Sequence, residues 1–437
     1  MDIDARLIDL TPEDLARVQE LDTTVWFEVV PGTRPEELVE HLDLRHARAL
    51  ERTGPPLPGE PGRDRPPLVG IYSAYDLQLT VPGPEDGLRT VPMDGLTWVG
   101  VHPDARRQGM LTRMMRDHLH RVHDRGEAAV AGLHASEPAI YGRYGYGAAS
   151  LDVKLVLSRG QELRVPDELA AAAETVDTHL VTLPTPEGAA ALHEAHRACA
   201  ATNVGAVTRP DAFAGSWFRD VPKARGSKEP RRLLLARRDG VPTGYAVLRR
   251  ESRWEDETPR SAVDVAELGA TDHASLLALV RRLVDLDLTT KVTLWGRSVD
   301  DPVLWWSGGP RSVGVRAIDS LWLRLVDLPR ALTERGYAVS APLDLVLEVV
   351  DDLCPWNAGR WRFAVDGSGT ATCERAADGD EPDVVLPVAA LGAAYAGGRT
   401  VAAQVPTLGV RELRAGAVGR LSRAMRADTE PVGAIGF

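Results

Sequence analysis

The stretch TWVGVHPDARRQGMLT, residues 97–112, decides how this chain is interpreted. Its apolar residues predict a strand that ends near Val101, and a glycine-containing loop then opens directly onto a helix. Backbone N–H groups at the start of a helix, together with the helix dipole, favour bound anions. Arg106 and Arg107 add positive charge, and Gly109 lets the backbone approach a ligand without a Cβ in the way. The stretch therefore predicts a pyrophosphate-binding loop; the alternative is an ordinary turn with two solvated arginines.

Regular patterns on both sides of the loop extend it into an α+β unit. After the loop, apolar residues recur at helical spacing from Leu111 to Val122, and residues 128–133 form a short apolar run typical of a buried strand. Before the loop, residues 68–81 and 90–101 are predicted strands, separated by a turn rich in Pro and Gly. Residues 53–67 are also rich in Pro and Gly, which predicts a surface loop.

The length of 437 residues predicts more than one domain. Hydrophobic patterns predict further helices near residues 11–21, 35–50, 187–202, 271–286, 328–334, 387–397 and 417–427. They also predict strands near residues 3–10, 231–238, 242–250, 262–268, 291–297, 321–326, 343–349, 360–365, 370–375 and 384–386. The pattern changes from about residue 318, and we predict three domains, at residues 1–157, 158–315 and 316–437.

Charge and cysteine content narrow the classes of function. The formal net charge is −12, which disfavours binding to a nucleic-acid backbone and favours cationic ligands. The three cysteines are far apart and form neither a zinc motif nor a disulfide framework. The first residues lack the apolar core of a signal peptide, and no apolar run reaches the length of a membrane span. We therefore expect a cytoplasmic protein that does not insert into membranes.

A second motif, SEPAIYGRYGYG at residues 136–147, follows the predicted strand 128–133. A phenol can protonate a leaving thiolate, since its ordinary pKa of about 10 is near that of a thiol. Tyr141, Tyr144 and Tyr146 compete for this role. The alternative for Tyr144 and Tyr146 is simple packing in a glycine-rich turn.

These motifs resemble a known family. V-x-V-x-P-x-x-R-R-x-G-x-L, placed between a strand and an amphipathic helix, resembles motif A of the GNAT acetyltransferase superfamily, which grips the pyrophosphate of acetyl-CoA. HASEPAIYGRYGYG, residues 134–147, resembles the corresponding segment of the Eis (enhanced intracellular survival) family. Residues 354–361, CPWNAGRW, and 389–395, AALGAAY, resemble the sterol-carrier-protein-like domain that ends Eis proteins. The resemblance implies an α+β fold with two tandem GNAT-like domains followed by that third domain.

The resemblance also implies a site. Tyr141 matches the family's general acid, and the free carboxylate of the terminal Phe437 matches its base. An acid precedes the terminal Phe in some relatives, whereas this chain has Gly436, which puts the pocket for a cationic substrate in doubt more than the base. Acetyl-CoA would contact residues of the loop and of the tyrosine motif: Val99, Gly100, Val101, Arg106, Arg107, Gln108, Gly109, Met110, Leu111, Thr112, Ser136 and Glu137. Family members acetylate amines and assemble as hexamers.

Other residues carry weaker signals. Trp26 and Phe27 precede a turn and could line a substrate pocket, although packing in the core or at an interface is the alternative. His118, His120 and His123 share one predicted helix without a completing carboxylate, so no metal site is predicted. The second domain lacks an Arg-x-x-Gly loop, so acetyl-CoA is expected in the first domain alone. The alternative function is a lipid or small-ligand carrier with the GNAT domains as scaffold. Whether the acceptor is an aminoglycoside, a polyamine or a protein lysine stays open.

Overall fold

A computed structural model of the chain describes residues 3–27, 34–55, 64–85, 87–211, 220, 222, 225–433 and 435–437, with only the backbone described at residues 39 and 40. The middle of the predicted loop 53–67 lies outside these residues. The strands are β1 Ala5–Asp9, β2 Arg48–Arg52, β3 Leu68–Pro82, β4 Leu88–Val101, β5 Val130–His134, β6 Gly147–Ala148, β7 Leu151–Ser158, β8 Asp177–Thr182, β9 Val207–Thr208, β10 Arg232–Arg238, β11 Val241–Glu251, β12 Trp254–Glu255, β13 Thr258–Pro259, β14 Ser261–Ala270, β15 Thr289–Arg297, β16 Gly314–Asp319, β17 Leu321–Leu325, β18 Leu343–Val350, β19 Gly359–Val365, β20 Ala371–Arg375, β21 Val384–Pro387 and β22 Arg411–Glu412. The helices are α1 Leu15–Trp26, α2 Met110–Arg125, α3 Pro138–Tyr141, α4 Asp167–Glu174, α5 Pro186–Ala200, α6 His273–Val284, α7 Pro302–Trp306, α8 Leu328–Thr333, α9 Val388–Ala394, α10 Val405–Leu408 and α11 Ala417–Met425.

The first sheet carries the motif that the sequence singled out. Its strand order is β1-β2-β3-β4-β5-β17-β6, and β9 adds to β3. β3 and β4 form a long antiparallel hairpin, whereas β4 and β5 are parallel because α2 connects them. The buried face of α2 contains Met114, Met115, Leu119 and Val122, at the helical spacing seen in the sequence. This face covers the sheet and fixes where the helix begins.

The second sheet repeats this topology, with the order β16-β7-β15-β14-β11-β10-β8. β14, α6 and β15 form a parallel unit that corresponds to β4, α2 and β5. The two sheets exchange one strand each. β17 lies between β5 and β6 of the first sheet, and β7 lies between β15 and β16 of the second. The exchange ties the two units together through backbone hydrogen bonds.

One strand therefore lies in a different unit from the one predicted. Residues 321–326 were expected to open the third domain, but β17 pairs with β5 from Leu321–His134 to Leu325–Val130. Its alternating pattern suits any half-buried strand, and such a pattern does not say which sheet the strand joins. The domain limits at residues 157 and 315 stay a prediction.

The third sheet, in the order β20-β19-β18-β21-β22, packs with α9 and α11. The CPWNAGRW segment joins this unit to the first sheet. Buried Arg324 of β17 donates to Asp351 Oδ1 at 2.7 Å and to Cys354 Sγ at 3.2 Å. Trp356 Nε1 donates to Val326 O at 2.7 Å, and the Asn357 amide donates to Asp351 Oδ2 at 3.1 Å.

The remaining predicted elements mostly lie near their predicted positions, with one clear exception. Residues 35–50 were predicted to be helical. The structure has a 3-10 helix at Pro35–Glu40 and then β2, which pairs with both β1 and β3. Pairing on both edges outweighs the weak local preference of that segment for a helix.

Candidate active site

A cleft opens in the first sheet where β4 and β5 separate. The parallel pairing runs through Met93–Val130 and Asp94–Ala131 and has its last pair at Gly95–Gly132. β4 also bulges beyond this point: Ser73 of β3 faces Thr97 while Ile71 faces Gly100, so Trp98 and Val99 together oppose a single residue. Trp98 has a positive φ of 55°. The bulge changes the direction of the backbone at Val99, beside the cleft.

The loop between β4 and α2 has the form of an anion site. Gly109 is the N-cap of α2 with φ 77°, and a Cβ added there would meet open space. Arg113 N–H donates to Gly109 O at 3.0 Å, so the amides of Met110, Leu111 and Thr112 precede the hydrogen bonds within the helix. These amides lie at the positive end of the helix dipole.

The arginine side chains of the loop face solvent, whereas its glutamine side chain bonds to the protein. Arg106 and Arg107 are exposed, and Arg106 Nε donates to Val101 O at 3.3 Å. Gln108 instead holds the loop to the N-terminal strand region, since its Oε1 accepts from Ile3 N at 2.6 Å and its Nε2 donates to Asp104 O at 2.8 Å. The Gln108 side chain is thus used structurally, and a ligand would meet its backbone.

The three tyrosines of the second motif lie in different environments. Tyr141 is buried at the end of α3, its ring 6.2 Å from that of Tyr146, and burial raises its pKa to about 12. Tyr144 OH is 3.1 Å from Thr112 Oγ1, in the first turn of α2. Tyr146 is 1% exposed, and among the described residues its hydroxyl has no hydrogen-bond partner. Because its pKa is raised to about 12, Tyr141 stays protonated over the physiological pH range.

The end of the chain lies in the first-sheet cleft. The Phe437 ring packs edge-on against the His134 ring, with centroids 4.9 Å apart. A Cβ on Gly95 would lie 3.0 Å from Phe437 Cε2, so the ring lies close to this strand. His134 Nε2–H donates to Ile435 O at 2.9 Å. Gly95 is the last residue of β4 that pairs with β5, and His134 ends β5, so the terminal residue lies between the separating strands.

Sequence reasoning missed His134 and the buried Asp94, and it considered His118 only as a possible metal ligand. Burial lowers the pKa of His134, which keeps its imidazole neutral. Asp94 of β4 lies 2.5 Å from Arg125, yet burial raises its pKa to about 6. His118 Nε2 lies 3.5 Å from Asp94 Oδ1, and burial lowers the pKa of His118 to about 3. A polar residue directly after a buried strand was the available signal for His134.

The other predicted site residues are near the cleft but less enclosed. At the end of α1, the Trp26 side chain is 39% exposed and that of Phe27 is 81% exposed. The same end of α1 lies close to β4, since a Cβ on Gly100 would lie 3.0 Å from Val25. Neither side chain belongs to the core, contrary to the core-packing alternative for them, and their roles in a substrate pocket or at an interface stay predictions. Ser136 and Glu137 are exposed, and Glu137 caps α3. Glu137 also contributes to the raised pKa of Tyr141.

A cavity of about 470 Å³ lies in the second unit. Strands β14 and β15, helix α5 and the C-terminal segment line it, and Ile435 forms part of its wall. Its carboxylates outnumber its cationic side chains: Glu267, Asp272, Asp300, Asp301 and Glu430 against Arg297. Four of these five acids pair with arginines: Glu267 with Arg209, Asp272 with Arg238, Asp301 with Arg297 at 2.5 Å and Glu430 with Arg426.

Asp43, His46 and Asp76 bring potential metal-ligand atoms within 4.8 Å of one another. Arg45 already contacts both carboxylates, at 2.5 and 3.1 Å, and so supplies the charge that a cation would bring. This group differs from the three histidines considered in the sequence.

All three cysteines are buried and free. In the part of the chain that the structure describes, no helix has both the length and the apolar character needed to span a membrane.

Comparisons with known proteins agree with this architecture. Family models of GNAT acetyltransferase domains match residues 60–149 and 205–325, and a sterol carrier protein domain model matches residues 328–433. An uncharacterized N-acetyltransferase of Streptomyces coelicolor is 37% identical over 365 residues, covering 83% of this chain and 84% of the relative. N-acetyltransferase Eis of Mycobacterium bovis is 31% identical over 308 residues, covering 70% of each protein.

Solved structures agree as well. Eis1 of Mycobacterium abscessus superposes with a TM-score of 0.75 at 28% identity, covering 98% of both chains. A GCN5-related N-acetyltransferase of Anabaena variabilis has a TM-score of 0.77 at 18% identity, which supports the fold alone. With two GNAT domains, a sterol-carrier-like third domain and Eis relatives of this identity and coverage, the chain is an N-acetyltransferase that belongs to the Eis family.

Proposed function

We propose that the first domain binds acetyl-CoA and transfers its acetyl group directly to an amine. The amides at the start of α2, with Arg106 and Arg107, would hold the pyrophosphate. The observation that carries the proposal is the position of Phe437 against Gly95 and His134, where β4 and β5 separate just before the bulge. An α-carboxylate has an ordinary pKa near 3.5 and is ionised at neutral pH, so it can accept a proton there.

The proposed chemistry uses groups of this chain alone. The Phe437 carboxylate takes a proton from the acceptor ammonium, directly or through water. The free amine attacks the thioester carbonyl, whose oxygen would accept from the amide at Val99 on the bulge. The C–S bond then breaks, Tyr141 gives its proton to the leaving CoA thiolate, and the nitrogen of the new amide loses its second proton to solvent. The Phe437 carboxyl also releases its proton to solvent. Tyr141 regains a proton from solvent, and the products are an acetylated amine and CoA with a free thiol.

The acceptor is proposed to be a cationic amine. The acidic cavity of the second unit ends at Ile435, two residues before the terminal carboxylate. Carboxylates that line an approach route concentrate cations near the site. Aminoglycosides, polyamines and lysine side chains all satisfy this description. Family membership favours this enzyme over the alternative of a ligand carrier with GNAT scaffolds.

A turnover screen tests the proposal. Acetyl-CoA is incubated with a panel of amines, and free thiol and acetylated amine are both measured. We expect equimolar amounts of the two products with at least one amine, and only slow background hydrolysis without amine. Thiol release that no amine accelerates would contradict the proposed acceptor class. A thermal shift with CoA measures cofactor binding separately from turnover.

Two further expectations stay predictions, one from family membership and one from the sequence. The chain is expected to form a homohexamer and to act in the cytoplasm. Light scattering at micromolar concentration tests the assembly, since a stable monomer would contradict it.

A further inference from the structure

The second unit has a cleft that corresponds to the acetyl-CoA cleft of the first. The parallel pairing of β14 and β15 has its last pair at Val265–Leu294. β14 then bulges: Leu248 of β11 faces Val265 while Val247 faces Glu267, which leaves Ala266 as the extra residue. The first sheet has the same order of features, with a last parallel pair followed by a bulge.

The chemistry of a phosphate site is missing from this second cleft. The N-cap of α6 is Asp272, whose carboxylate accepts from Ser275 N at 2.8 Å and lies 3.2 Å from Arg238. In the first domain the same position is Gly109, which leaves the helix amides open. A carboxylate at this position competes for the amides and repels an anion, so the second cleft is unsuited to a pyrophosphate.

The C-terminal segment lies along this second cleft instead. Glu430 N–H donates to Asp300 Oδ2 at 2.8 Å, and Ser298 Oγ donates to Glu430 O at 3.1 Å. The backbone N–H and C=O of Glu430 are therefore both hydrogen-bonded, to Asp300 and Ser298, two residues that follow β15. Val432 N–H then donates to Val204 O at 2.9 Å.

Contacts with the second unit and with the first lie close together along this segment. A Cβ on Gly433 would lie 2.9 Å from Gly296 Cα of β15, so the segment touches this strand. Two residues later, Ile435 accepts from His134 of the first sheet. The hydrogen bond that holds Val432 in the second unit is thus three residues before the one that holds Ile435 in the first unit.

We propose that the second unit's cleft, the counterpart of the acetyl-CoA cleft, guides the C-terminal segment and so aims the Phe437 carboxylate into the first domain. Ser298 and Asp300 are positioning residues for the base. The inference rests on the proposed function for the role of Phe437. It gives the second domain a part in the reaction although it binds no cofactor, and one acetyl-CoA binds per chain.

The test uses the full-length chain with Ser298→Ala and Asp300→Ala combined. Two quantities are measured: the steady-state constants with a good amine, and the rate at which carboxypeptidase releases Phe437. We expect kcat to fall at least tenfold, KM for acetyl-CoA to stay within twofold, and Phe437 to be released at least fivefold faster. Asp300→Asn keeps an acceptor oxygen and should recover most of the kcat lost by Asp300→Ala.

Asp287→Ala is the matched control, because Asp287 is an exposed acid of the same domain, paired with Arg159 at 2.8 Å. It should leave the kinetics and the release of Phe437 unchanged. Release at the wild-type rate in the double variant would overturn the docking inference. Faster release with unchanged kcat would overturn the positioning role. If deleting Phe437 leaves kcat unchanged, the proposed base fails, and the release rate still tests docking.

Discussion

The Nε2–H of His134 donates to the carbonyl oxygen of Ile435 at 2.9 Å, and so joins the end of β5 to the end of the chain. The same imidazole packs against the Phe437 ring. Since its burial keeps it neutral, it acts here as a hydrogen-bond donor and a packing surface. This contact places the terminal residue beside Gly95, where β4 and β5 separate.

Replacing His134 tests this contact. His134→Phe keeps a ring against Phe437 but removes the donor to Ile435. A neutral hydrogen bond contributes about 0.5–1.5 kcal/mol, so kcat should fall roughly 2- to 10-fold. KM for acetyl-CoA should change little, because the loop before α2 is unaltered. An unchanged kcat would mean that packing alone holds the terminus.

Arg106→Ala or Arg107→Ala should weaken the binding of acetyl-CoA. Each removes a charged contact to phosphate, of about 1.5–3 kcal/mol, or roughly 10- to 100-fold in KM. The control is Arg116→Ala, which removes an exposed arginine farther along α2. Steady-state kinetics with varied acetyl-CoA measures the effect. KM values at the wild-type level in both variants would place the phosphates elsewhere.

Tyr141→Phe should lower kcat by about 10²–10⁴-fold, since it removes the proposed proton donor to the thiolate. The pKa of Tyr141 is raised to about 12, and the acid must be protonated to work. The wild-type rate should therefore show no loss from tyrosine ionisation as the pH rises from 7 to 10. A pH profile of kcat checks this, and an inflection near pH 9 that Tyr141→Phe abolishes would contradict the assigned environment.

Arg324→Ala should destabilise the protein severely. It leaves Asp351 buried without its cation and cuts the connection between the first sheet and the third unit, so the cost is about 3–5 kcal/mol. Urea denaturation measures the loss. Arg362→Ala is the control, because Arg362 forms an exposed pair with Asp344 and its removal should have little effect. Equal urea midpoints for Arg324→Ala and Arg362→Ala would contradict this account.

Local features of the site could be predicted from the sequence. The strand, loop and helix around Arg106 and Gly109 need only short-range patterns and the conformational freedom of one glycine. Family resemblance supplied the three-domain order and the roles of Tyr141 and Phe437. The role of Gln108 was less accessible, because its side chain bonds to Ile3, more than a hundred residues away.

Long-range features could not be predicted in this way. The exchange of β7 and β17 depends on which sheet has a free edge, and a strand's own alternation carries no such information. The cavity of the second unit arises from the bulge at Ala266 and from the course of the C-terminal segment, both of which are tertiary. His134 was overlooked for the same reason, since its partners lie three hundred residues later.

The central claim is that the free carboxylate of Phe437 is the base, and a C-terminal extension tests it most directly. An added tag keeps the Phe437 ring but converts its carboxylate to a neutral amide. The matched control carries the same tag at the N-terminus. With a saturating amine, the account predicts that kcat of the C-terminally tagged protein falls by about 10²–10⁴-fold while acetyl-CoA still binds. Turnover of the C-terminally tagged protein at the untagged rate would contradict it.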